Sequence, residues 1–233
     1  MAAIRYFFRD YLLSYRYFAP LTLYALCIAL VYGVTPNPIM SSYSFTSTVL
    51  FAISAWLALG YVDVEHETQQ MITSLHIGNV RNYYGYKIIP LMALTVVISV
   101  LATGYPALTG KFVRSPDAAE VEIAIACHIG LAWLGLAAGF LFTRKWFPKW
   151  YTALGGLTGF VAVSFAAAGI VRSVPAGFRW IEWLLPPMFR TMEMLNAYET
   201  AGTWQIAAGI ALPFVYATLL FAVFVIGMIR KKF

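Results

Sequence analysis

Six long apolar runs, at about 18–34, 45–62, 88–108, 121–143, 150–171 and 204–229, take up most of this 233-residue chain. A bilayer core of about 30 Å needs roughly 20 apolar residues per helix, and each run approaches or exceeds that length. A chain built this way satisfies its backbone groups within helices, because hydrocarbon offers none of the hydrogen bonds that water does. The expectation is an all-α polytopic membrane protein with six transmembrane helices in a single transmembrane domain, 1–233. Composition agrees: 61% of residues are hydrophobic and 11% charged, against about 25% charged in soluble domains. Pro90, Pro106 and Pro213 fall in or at the edge of runs, where neighbouring helices can cover the freed carbonyls.

The Lys and Arg residues predict direction. With the N-terminus inside, Arg5, Arg9, Arg16, Arg81, Lys87, Arg144, Lys145, Lys149, Arg230, Lys231 and Lys232 are cytoplasmic, while Lys111, Arg114, Arg172, Arg179 and Arg190 are outside. This is a positive-inside bias, so both termini are expected in the cytoplasm of a multi-pass protein, in a bacterial cell membrane. The net charge of +6 sits in short clusters beside apolar runs. That pattern fits orientation and lipid headgroup contact, and no nucleic-acid partner is expected. Cys27 and Cys127 lie inside apolar runs and read as small buried hydrophobes. The aromatic stretch around Arg5, Arg9 and Arg16 has no small-residue cleavage site, so no cleavable signal peptide is expected.

RYFFRDYLLSYRYF, within residues 1–17, is too short and too charged to span. On a helix of about 100° per residue its three arginines, Arg5, Arg9 and Arg16, fall within a roughly 40° arc. An interfacial helix with arginines toward membrane lipid is one reading; a plain extension of the first span is the other. VRSVPAGFRWIEWLLPPMFRTMEMLNAYETAGT, between runs five and six, is amphipathic, carries Trp180 and Trp183, and is interrupted at Pro186-Pro187. Two short helices separated by the prolines are expected. They either dip as a re-entrant pair near the outer headgroups or form an ordinary interfacial loop.

Catalytic constellations are scarce. No HExxH or GxSxG occurs, and no metal site or catalytic residue is nominated. GYPALTGK, Gly104–Lys111, imitates a phosphate-binding loop, but its spacing is one residue too long and Phe112 stands where Ser or Thr would bind magnesium. His128 is the one histidine within a run and reads as either a core residue or a ligand. Glu120 and Glu122 open the fourth run, as a solvated helix start favoured by the helix dipole or as part of a substrate entrance. With His128 they define an enzyme reading. The pairs Gly135/Gly139 and Gly155/Gly159 have the spacing that permits close helix approach.

The remaining polar segment is DVEHETQQMITSLHIGNVRNYYGYK, Asp63–Lys87. Its first half predicts a helix with Met71, Ile72 and Leu75 on one apolar stripe and a stop at Gly78-Asn79. Asp63, Glu65 and Glu67 precede the stripe, so the helix cannot lie in lipid, and its apolar side calls for a protein surface. An ordinary solvated connection is the alternative.

The order of elements, together with Glu65-His66-Glu67-Thr68-Gln69-Gln70, the run MITSLHIGN and Tyr84-Gly85-Tyr86-Lys87 at the third run, resembles the permease subunits of type-2 ATP-binding cassette exporters. These have an N-terminal elbow helix, six spans, a coupling helix between spans two and three, and a re-entrant segment between spans five and six. Tyr86, inserted between Gly85 and Lys87, departs from the family's Gly-Lys pattern. The resemblance implies a partner subunit that binds ATP and Mg and docks on Glu65, Glu67, Gln69, Gln70, Met71, Ile72, Ser74, Leu75, His76 and Gly78. It implies no cofactor in this chain, pairing with a second copy or a related permease, and a pathway along parts of spans one, two and five. The implied function is export of a hydrophobic or amphipathic cargo such as a peptide, a lipid-linked sugar or a drug. An accessory or sensory membrane protein that docks a cytoplasmic partner without transport is the competing reading.

Overall fold

The computed structural model describes residues 2–231, the side chains of Ala176 and Arg179 apart; Lys232, counted above among the inner basic residues, lies outside them. The described chain is helical: α1 Ala2–Ser14, α2 Phe18–Val31, α3 Ile39–Val62, α4 Glu67–Ile77, α5 Val80–Leu108, α6 Ala118–Leu141, α7 Trp150–Ser173, α8 Met188–Asn196 and α9 Thr203–Arg230. Short 3-10 turns at Ala176–Trp183 and Tyr198–Thr200 flank α8. One isolated bridge, Asn37 to Phe112, ties the turn before α3 to the turn after α5.

Five helices, α3, α5, α6, α7 and α9, are long and apolar enough to cross a membrane. The expected first span differs. Its helix, α2, has 14 residues, a length of about 21 Å, and meets α1 across a bend of 78°. Tyr15 makes that break with φ of 55°. The run expected to reach residue 34 stops at Val31, where Gly33, Pro36 and Pro38 follow; proline does not donate to a helix and disfavours a helical residue before it. A sixth crossing exists only if the bent pair counts as one span.

α6 stands at the centre, with its residues buried along most of its length. It lies against α3 with almost no side chain between. A Cβ added to Gly135 would come 2.1 Å from the Phe51 carbonyl oxygen, and one on Gly139 would come 2.4 Å from that of Ala55. Glycine here permits backbone contact between helices. Gly155 and Gly159 on α7 have the same spacing, yet nothing lies within 4 Å of where their Cβ would be. Spacing alone did not distinguish the contact from the open face. α9 covers another side of α6, where Phe224 stacks edge-on with Phe140 at 5.1 Å between centroids. α8 buries Met188, Phe189, Thr191, Met194 and Leu195, and Thr191 donates to the Gly209 carbonyl of α9 at 2.7 Å. The Pro186-Pro187 pair thus separates two short helices, the second packed into the bundle.

α1 crosses the end of the bundle where α3 finishes and α5 begins. Phe7 and Tyr11 are buried, Phe7 against Tyr83 of α5 and Tyr11 against Tyr61 of α3, with centroids 5.3 and 4.9 Å apart. Arg5, Arg9 and Arg16 are exposed, and Arg16 Nη1 donates to the Gly60 carbonyl at 3.3 Å. α4 follows α3 after a turn of four residues, 63–66, its start capped by the His66 ring, which accepts from Thr68 N at 3.4 Å. Gly78, at φ of 79°, ends it in the left-handed region, where a residue without Cβ fits without strain. Asn79 then opens α5, its side chain accepting from Arg81 N at 2.8 Å.

Candidate functional site

Between α1, α4 and α5 lies a buried polar node centred on Glu65. Its carboxylate Oε2 is 3.0 Å from Lys87 Nζ, and each side chain is 2% exposed. The pair forms because the turn at Gly78-Asn79 folds the start of α5 back beside the residue that precedes α4. Tyr83, one helical turn before Lys87, accepts from Lys87 Nζ at 3.2 Å and donates its own proton to Glu65 Oε2. Tyr6 of α1 and Thr73 of α4 donate to Oε1 at 3.2 and 3.4 Å. Gln70 Nε2 donates to the Glu65 carbonyl at 3.2 Å, and Tyr61 of α3 donates to the Lys87 carbonyl at 2.7 Å. One carboxylate therefore joins three helices directly and a fourth through Lys87.

Charges are taken out of water only when paired and hydrogen-bonded, and this pair meets both conditions. With its oxygens occupied, Glu65 has no free acceptor position for a reacting molecule; it fixes position. The surroundings respond to it. Burial, then the Glu65 charge, pushes the Tyr6 phenol up to about 12, and burial followed by Glu65 also raises the Asp10 carboxyl above its usual range. A second tie lies nearby. Asp63 accepts from Thr143 Oγ1 at 2.8 Å and from Arg144 N at 2.7 Å, fastening the α6–α7 turn to the end of α3. Lys145 in that turn donates to Tyr84 at 3.1 Å, and burial, then the Lys87 charge, lowers its ammonium.

The residues nominated for docking divide into two sets. Glu65, Gln70 and Ser74 face inward and are buried. Glu67, Gln69, Met71, Ile72, Leu75, His76 and Gly78 face outward. The outward face is apolar at its centre, with Met71, Ile72 and Leu75 exposed at 47, 64 and 81%. This helix inverts the usual arrangement, holding its polar side to the protein and its apolar side away from it. Lys87, Tyr83, Tyr6 and Thr73 were missed as partners of Glu65. The i, i+4 spacing of Tyr83 and Lys87 at the foot of an apolar run was the available signal.

The groups of the enzyme reading have separate partners. Arg114 holds Glu120 through two contacts at 2.8 and 2.6 Å, and Glu122 is exposed. His128 lies 3.0 Å from Thr46 Oγ1 and 2.7 Å from the Ala124 carbonyl. Since that carbonyl can only accept, Nδ1 carries a proton and donates it to the Ala124 carbonyl. Among the described residues no group of three or more His, Cys, Asp or Glu could hold a metal ion.

Neither family models, nor curated proteins, nor solved structures show a match to this chain. The functional reading therefore rests on the geometry of α4 and its node.

Proposed function

We propose that this chain is the membrane-spanning permease subunit of an ATP-binding cassette exporter, moved by a separate ATP-binding subunit. In this reading the α1–α2 pair supplies the elbow and the first of six spans, and both termini are cytoplasmic. The segment after α7 dips at the outer surface, and a second copy or a related permease completes the transporter. ATP and Mg belong to the partner, and the cargo is hydrophobic or amphipathic.

One observation carries the reading: α4 presents Met71, Ile72 and Leu75 away from the bundle while its polar side is anchored to Glu65. A solvated connector gains nothing from exposing three large apolar side chains on one face, whereas a helix that seats in a partner's groove requires them. Anchoring by a buried ion pair makes α4 a rigid lever, so force applied to it reaches α1 and α5. Glu67, Gln69 and His76 would form the polar rim of the contact.

The test is co-purification of the chain with cytoplasmic proteins of its own cell. An ATP-hydrolysing subunit should accompany it and be lost from Met71→Asp, Ile72→Asp and Leu75→Asp combined, with the chain still folded in detergent. Retention of that subunit and of ATP-dependent transport by the triple variant would refute the docking role of α4. Recovery of a cytoplasmic partner with no ATPase activity would favour an accessory or sensory protein instead.

A further inference from the structure

At the end of the bundle opposite α4, a cavity of about 430 Å³ opens between the start of α3, Val113–Arg114, the start of α6 and the residues that follow α8. Ile39, Met40 and Leu195 supply apolar wall; Arg114, Glu120 and Glu199 supply its charges. Glu120 grips the guanidinium end-on, accepting from Nη1 at 2.8 Å and from Nη2 at 2.6 Å. The other Nη1 hydrogen goes to the Ser115 carbonyl at 3.2 Å. A guanidinium has five N–H donors in a rigid fork. The two left over, Nε–H and the second Nη2 hydrogen, lie together on its side edge and have no hydrogen-bond partner among the described residues.

That edge is the one that binds a carboxylate or phosphate through two parallel bonds. It is also held still. The Glu120 side chain is 6% exposed, against 52% for Arg114, and is fixed further by Asp117 N at 2.8 Å. An oxyanion can therefore take the free edge without disturbing the existing pair. A bare anion is nevertheless poorly served, because Glu120 neutralises Arg114 and Glu199 adds negative charge to the same cavity. A ligand bearing its own cation satisfies both sides.

We propose that this cavity binds a zwitterion, its oxyanion on the side edge of Arg114 and its primary ammonium toward Glu199, with any apolar part against Ile39 and Met40. An ethanolamine phospholipid headgroup and an amino acid or peptide both carry this chemistry. The assignment is independent of whether α4 docks an ATPase.

The experiment uses the full chain in phosphatidylcholine nanodiscs, titrated with O-phosphoethanolamine, with leucine and with inorganic phosphate, and melted in discs containing phosphatidylethanolamine or phosphatidylglycerol. At least one zwitterion should bind saturably, inorganic phosphate should not compete, and Arg114→Lys and Glu199→Gln should each weaken binding about tenfold or more. Glu199 is exposed and makes no described hydrogen bond, so its variant tests the site even if Arg114→Lys perturbs the fold. Binding of phosphoethanolamine together with a higher melting temperature in phosphatidylethanolamine identifies a lipid source; binding of leucine without that lipid effect identifies an amino acid or peptide. The proposal is overturned if no zwitterion binds and phosphatidylethanolamine gives no stabilisation over phosphatidylglycerol. It is overturned equally if phosphate binds as well as phosphoethanolamine, or if Glu199→Gln leaves affinity unchanged.

Discussion

Glu65 and Lys87 are separated by 22 positions in the chain and by 3.0 Å in the fold, as a buried ion pair. The pair closes the α4–α5 turn on itself and lets a single carboxylate accept hydrogen bonds from Tyr6, Thr73 and Tyr83 as well. Desolvating two charges is costly, so the arrangement holds only while both are present.

Lys87→Met leaves the Glu65 carboxylate buried without its cation, and a loss of about 3–5 kcal/mol is expected. Denaturant unfolding in detergent would read this as an early transition. The double variant Glu65→Leu, Lys87→Met removes both charges and should recover much of the loss, because the single-site effects are coupled. Equal destabilisation by the single and double variants would contradict the pairing.

Gly135→Ala should separate α3 from α6, since its Cβ would sit 2.1 Å from a Phe51 carbonyl that belongs to the backbone and cannot swing aside. A cost of about 1–3 kcal/mol is expected from such overpacking. Gly155→Ala, where nothing lies within 4 Å, should be neutral or raise the melting temperature, because alanine favours a helix over glycine by about 1 kcal/mol. The contrast between two identical substitutions is the measurement.

Asp10 gives the pH dependence. Burial and the neighbouring Glu65 raise its folded-state pKa above the ordinary carboxylate value, so the folded chain holds the proton more tightly than the unfolded chain. Stability therefore falls as pH rises through the interval between the two values, and the penalty is constant above it. Asp10→Asn should melt higher than the parent at pH 7, with the advantage shrinking as the pH falls below the raised folded-state value and gone below the ordinary carboxylate pKa. A constant offset at every pH would exclude the titration.

Gly78→Ala places a Cβ on a residue at φ of 79°. A loss of about 1 kcal/mol is expected, along with loosening of the turn that brings Lys87 to Glu65. Faster hydrogen exchange at the α4 C-terminus, with α6 unchanged, is the signature.

The long helices were legible because hydropathy length is a local quantity: α3, α5, α6, α7 and α9 each contain an apolar run whose ends lie within a few residues of a helix end, except that α3 begins six residues and α5 eight residues ahead of theirs. The first run misled because Tyr32, Gly33 and Val34 count as apolar while the prolines beyond them govern the backbone. The stripe of Met71, Ile72 and Leu75 could be read from spacing alone. Its polar counterpart could not, since nothing local tells whether Glu65 and Gln70 point to water or to Lys87. That depends on how α5 returns, a tertiary fact. The same holds for the two glycine pairs, identical in spacing and opposite in environment.

α1 has a last consequence for the seam between α3 and α5. Lying crosswise, with Phe7 on α5 and Tyr11 on α3, it is a threshold laid across the doorway between those two helices. Anything reaching the seam from that end of the bundle meets this sill first.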